Sequence, residues 1–143
     1  MLSRPENGWT DITIGEWTDR ASYVSDVQID LLDCFIKVFK DNNSHCVSCD
    51  AEGWEYIIVI DLNAIHIIES KDTYEYYSYD FMENNTTLKD VSKELYNDIK
   101  ENLDAWSVWE PCLDLNDMGD IEKYQKKITD KLKILEKMLK EDK

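Results

Sequence analysis

Apolar and polar residues alternate with two different periods along the chain, and the changes of period divide it into elements. Residues 9–14, "WTDITI", alternate every second position, as a half-buried strand does. The polar and small residues that follow, through Ser22, read as a loop. From Asp26 the period lengthens. In "DVQIDLLDCFIKVFK" a helical wheel of about 100° per residue gathers Asp26, Asp30, Asp33, Lys37 and Lys40 on one arc. Val27, Leu31, Leu32, Phe35, Val38 and Phe39 fill the other side. The apolar arc is wide, so the helix is expected to be mostly buried. Ser25 fits the N-cap, with Asp26 in the first turn, and "KDNNS" closes the helix.

Residues 45–81 return to the two-residue period and read as three or four antiparallel strands. The first is about 45–50, followed by a turn at "EG" (52–53), "WEYIIVIDL", a tight turn near Asn63, "AIHIIES", a turn at "KD", and "TYEYYSYDF". β-Branched and aromatic residues dominate, and connections of two to four residues indicate a meander rather than crossovers.

A second helix opens at "NNTT", with Thr87 and Asp90 as a capping box. Leu88, Val91, Leu95, Tyr96, Ile99, Leu103, Trp106 and Trp109 share about a third of its circumference, and Pro111 is expected to stop it. After a linker, "CLDLNDMGD", a last helix begins near Asp120. Its narrow stripe is Ile121, Tyr124, Ile128, Leu132, Leu135 and Leu139. The pattern predicts an α+β fold in one domain of 143 residues. An antiparallel three- to four-stranded meander packs against helices, and residues 119–143 form a C-terminal lysine-rich helix.

Charge sharpens this picture. Residues 1–118 hold 8 Lys+Arg against 25 Asp+Glu, a balance of −17, whereas residues 119–143 hold 8 Lys against 6 acids, or +2. An acidic body repels nucleic acid and anionic membrane, and it speeds the capture of cationic partners. No apolar run approaches the length of a membrane span, and "MLSRPENGW" lacks the apolar core of a secretory leader. A cytoplasmic protein with four free thiols is the expectation.

Catalytic and metal chemistry find little support. Cys46 and Cys49 lie three apart in a strand, which turns their side chains to opposite faces. His45, Cys46, Cys49 and Asp50 are nonetheless the best place to look for a metal or redox centre, the alternative being ordinary strand cysteines. Asp50, Glu52 and Asp61 are candidates for a carboxylate cluster, against the plainer reading of solvated turns. His66, between isoleucines, reads as a strand histidine. No Ser/His/Asp grouping, glycine-rich phosphate loop or cofactor motif is legible. No catalytic residue, metal ligand or cofactor is assigned.

The aromatic residues carry more. Tyr77, Tyr79 and Phe81 alternate onto one face of their strand and Tyr74, Tyr76 and Asp80 onto the other. Tyrosines beside acids suit a protein interface. The competing reading has the last helix covering them as a second layer of core. Trp17 and Trp54 are interface anchors or lids on the core. The last helix either docks on the acidic body or pairs with a partner, which would make the chain an oligomerising adaptor.

The order "WTDIT", amphipathic helix, "DAEGWEYIIV" and "LYNDIKENLDAWSVW" resembles small acidic bacterial immunity proteins encoded beside polymorphic or contact-dependent toxins, over residues 9–109. That resemblance implies a protein without catalytic residues that binds a cationic toxin, often a nuclease, and occludes its active site. The expected partner-binding residues are Asp50, Glu52, Trp54, Glu55, Glu69, Asp72, Tyr74, Glu75 and Tyr76, read from the charge and tyrosine pattern. The expected partner is a basic protein, with no nucleic acid and no membrane.

Overall fold

A computed structural model describes residues 1–71, 74–109 and 117–141. Asp72 of the expected "KD" turn, Pro111 and Cys112 lie outside the described residues. The chain opens with a hairpin, β1 (Trp9–Ile14) and β2 (Trp17–Ser22), paired from Trp9↔Ser22 to Ile14↔Trp17. The sequence reading placed a loop at β2. That strand buries Trp17, Asp19 and Ala21, so its inward set includes a carboxylate and a methyl group, and its alternation is hidden. The two-residue connection needs Gly15, whose φ is +57°. A Cβ there would also run into the Tyr79 ring.

Helix α1 (Val27–Asp41) follows and buries Val27, Leu31, Leu32, Phe35 and Val38. Ser25 does not cap it. The N-cap position is Asp26, whose side chain makes no capping bond. Its carboxylate instead accepts the Tyr124 hydroxyl and lies 3.2 Å from Lys127 Nζ. Asn42 in the left-handed region ends the helix.

The meander is a four-stranded antiparallel sheet in the order β3-β4-β5-β6, with β3 at His45–Asp50, β4 at Glu55–Ile60, β5 at Ala64–Ser70 and β6 at Tyr74–Asp80. Its inner face contributes Val47, Cys49, Tyr56, Ile58, Ile60, Ile65 and Ile67 to the core. Helix α2 (Leu88–Glu101) carries the expected capping box between Thr87 and Asp90. It stops earlier than its apolar stripe does. Asn102 turns out of helical geometry, with its side-chain amide donating to the Asp98 carbonyl (2.9 Å), and a single turn, α3 (Leu103–Trp106), resumes beyond it. Trp106 and Trp109 are both buried.

Helix α4 (Met118–Lys140) packs on α1 and α2 through Tyr124, Ile128, Leu132 and Leu135. These side chains join one hydrophobic core with residues of both sheets and the other helices. The fold is therefore layered: sheet, then α1 and α2 with the hairpin, then α4. The outer face of the four-stranded sheet lies on the side away from α4.

Candidate protein-binding face

Strand alternation gives the sheet two faces. The outer one is built from transverse rows set by the register. Ser48, Ile57, Ile68 and Tyr76 form one row; Cys46, Val59, His66 and Ser78 form the next; Asp50, Glu55, Ser70 and Tyr74 form a third. Tyr74 is 86% exposed and Tyr76 61%, and Ile57 and Ile68 are also open to solvent. The result is an apolar and aromatic strip with carboxylates beside it.

Tyr76 is held in place. Its ring stacks on His66, with centroids 5.8 Å apart and planes 15° apart, and its hydroxyl meets His66 Nδ1. Ser78 Oγ also meets Nδ1, at 2.9 Å, and Nε2 faces Asp61 Oδ2 at 3.6 Å. Both hydroxyls therefore converge on one ring nitrogen, while the other faces Asp61. Asp61, His66 and Ser78 thus stand in the order of a nucleophile relay that the sequence did not reveal, because the three lie on a turn and two strands. Two features set it apart from a working relay. The Asp61–His66 separation exceeds a hydrogen bond, and Tyr76 competes with Ser78 for the same ring nitrogen. The cluster holds the Tyr76 ring in place on a flat face.

The expected partner-binding residues divide. Asp50, Glu55, Tyr74 and Tyr76 lie together on the outer face. Glu52 is exposed in the β3–β4 turn with φ +53°, and its carboxylate accepts the Ser22 hydroxyl. Glu75 is exposed but belongs to the opposite face, where it accepts the Tyr77 hydroxyl. Asp72 lies outside the described residues.

Trp54 leans away toward the hairpin and donates to Asp19 Oδ2 at 3.0 Å. Glu69 is a correction. It sits in register with Ile65 and Ile67, points inward and is only 3% exposed. The proposed gathering of Asp50, Glu52 and Asp61 does not form either. Asp50 and Glu52 lie at one end of β4 and Asp61 at the other, about 20 Å away at the rise of a strand.

Glu69 belongs to a buried anchor that ties the hairpin to the sheet. Trp17 Nε1 donates to Glu69 Oε1 at 2.6 Å, and Lys71 Nζ lies 3.5 Å from Glu69 Oε2 and 2.9 Å from Asp19 Oδ2. Lys71 also covers the Trp54 ring, 5.1 Å from its centroid. Burial alone would raise the Asp19 carboxyl. The hydrogen bonds from Lys71, the Arg20 amide and Trp54 outweigh that and hold it below the ordinary range. The two buried acids are supplied with donors from three side chains, which makes them a structural clamp.

His45, Cys46, Cys49 and Asp50 do not converge. Cys46 is exposed on the outer face and Cys49 is buried on the inner one, with burial pushing its thiol up to about 12. His45 is engaged by Asp41 at 2.8 Å. Among the described residues, no group of three or more His, Cys, Asp or Glu is placed to hold a metal ion.

The lysine-rich helix neutralises a different acidic surface. Lys127 reaches Asp26 at 3.2 Å, and Lys131 pairs with Asp33. Both acids lie on the polar arc of α1. Asp30, between them, has its carboxyl raised by burial and by those two neighbouring acids. Among the described residues no lysine of α4 pairs with an acid of the sheet. Residues 41–88 contain ten Asp+Glu and one Lys, a balance of −9.

Among the described residues no helix is long and apolar enough to cross a membrane. Compared with known proteins, the chain matches no family model, no curated protein and no solved structure.

Proposed function

We propose that this chain is an immunity-type inhibitor, a cytoplasmic protein that neutralises a cationic toxin by covering its active site with the outer face of the four-stranded sheet. One observation carries the reading: an exposed strip of Tyr76, Ile68 and Ile57 lies in a segment with ten acids and one lysine, and α4 packs elsewhere. Exposed apolar strips of this kind mark interaction surfaces, and tyrosine supplies contact area at low entropic cost. Carboxylates at Asp50, Glu55 and Asp80 complement lysine and arginine side chains that would otherwise hold phosphate, so a nuclease is the fitting class of toxin. The same charge disfavours nucleic acid as a ligand. The resemblance of residues 9–109 to acidic immunity proteins supports the same class.

Co-expression with a basic nuclease toxin domain, taken from the neighbouring gene if that gene encodes one, tests the proposal. The wild-type chain should restore growth. The Tyr74→Ala/Tyr76→Ala double variant, folded by circular dichroism, should not. A wild-type chain that gives no protection, or a double variant that protects in full, contradicts it.

A further inference from the structure

We infer that β6 is the pairing edge of this face and takes up an extended, lysine- or arginine-bearing segment of the partner as a fifth strand. The inference rests on the proposed function and specifies how the partner engages. Among the described residues the sheet ends at β6, which pairs with β5 alone. Phe81 N–H donates to the Asn63 carbonyl at 3.1 Å, which sets the phase of the β5–β6 ladder. Backbone groups of Glu75, Tyr77 and Tyr79 then point to β5, and those of Tyr74, Tyr76, Ser78 and Asp80 point outward. Asn84 Nδ2 caps the Asp80 carbonyl at 3.2 Å. No bond from a described residue reaches the outward amides and carbonyls of Tyr74, Tyr76 and Ser78.

Natural sheets protect such an edge with proline, lysine, a bulge or a very short strand. β6 runs for seven residues, "YEYYSYD", with no proline, lysine or bulge, and its only charged side chains are the acids Glu75 and Asp80. The other edge, β3, has α1 and β2 packed against it. A long edge that no described residue pairs with, and that only acidic side chains guard, is a strand-addition site for a cationic segment. Its chemistry selects the occupant. Glu75 on one face and Asp80 on the other call for cationic side chains on the incoming strand, and cross-strand pairs of opposite charge are favourable. A second copy of this chain would bring a further −15 of charge to the same edge.

The test uses purified protein and the peptide acetyl-(Lys-Val)4-amide, with a control of the same residues in alternating L and D configuration. The control keeps the charge but cannot extend as a pleated strand. Binding of the all-L peptide should slow amide exchange at Tyr74, Tyr76 and Ser78 at least tenfold and leave Glu75, Tyr77 and Tyr79 unchanged. The control should bind at least tenfold more weakly. Ser78→Pro, which removes one outward amide, should weaken the all-L peptide by a similar factor; where that variant does not fold, the peptide pair decides. Equal binding of the two peptides, or exchange unchanged at the three amides, overturns the inference. So does a dimer of the free chain that Ser78→Pro splits into monomers, because the edge would then belong to a second copy. If the tyrosine double variant loses protection against the toxin while Ser78→Pro binds it at full affinity, strand pairing is overturned and the docking face stands.

Discussion

Glu69 illustrates how one residue's parity decides its role. In "AIHIIES" the isoleucines occupy both faces, at 65, 67 and 68, so the pattern alone leaves the carboxylate's direction open. The register puts it inside, opposite Tyr56 and Glu75 in its row and bonded by Trp17. Truncating it leaves the Trp17 N–H buried without an acceptor and Lys71 with one carboxylate fewer. Glu69→Ala should therefore lower stability by about 1–3 kcal/mol in urea unfolding, whereas Tyr74→Ala should change it by less than about 0.5 kcal/mol. Equal effects would contradict the clamp.

Asp19 gives a pH signature. Its carboxyl is held below the ordinary range when folded, so the unfolded chain binds the proton more readily across that window. The clamp's contribution is complete above the unfolded value and is lost as pH falls through the folded one. Asp19→Asn should flatten the acid limb of the stability curve measured by urea midpoints. An unchanged slope would count against the assignment.

Among the elements, those with a clean period were legible. The bounds of β3 and β5, the Thr87–Asp90 capping box and the buried face of α1 all follow from residue order. The elements that were not legible have polar residues doing packing work. β2 was hidden by buried Asp19. The end of α2 was hidden because apolar residues continue past it, while Asn102 breaks the helix by bonding backward to Asp98. The capping of α1 was misread because the Asp26 carboxylate serves α4 across 98 positions of sequence.

The β1–β2 turn is the sharpest element-scale test. Gly15→Ala meets both a positive φ and the Tyr79 ring, so it should cost about 1–3 kcal/mol and lower the thermal midpoint. A Gly15→Ala variant as stable as the wild type would mean that the hairpin does not press on β6.

For the whole molecule, the −15 is unevenly used. The lysines of α4 meet the acids of α1, on the side away from the sheet's outer face. On the sheet's outer face Asp50, Glu55 and Asp80 border a strip of apolar and tyrosine surface. Composition made an acidic body and a basic tail visible. Which acids the tail neutralises depends on where α4 docks, and no local pattern encodes that.

The most direct test of the proposed docking face is the association rate with the proposed cationic toxin, measured by stopped flow at low salt and at about 0.5 M, where screening acts within a few ångströms. Asp50→Lys/Glu55→Lys should slow association at least tenfold at low salt, and the gap to wild type should shrink at high salt. Glu101→Lys/Asp120→Lys changes net charge equally but away from the sheet, and it should slow association far less. Equal slowing by the two pairs would mean that only total charge matters and that the outer face of the sheet is not where the partner docks.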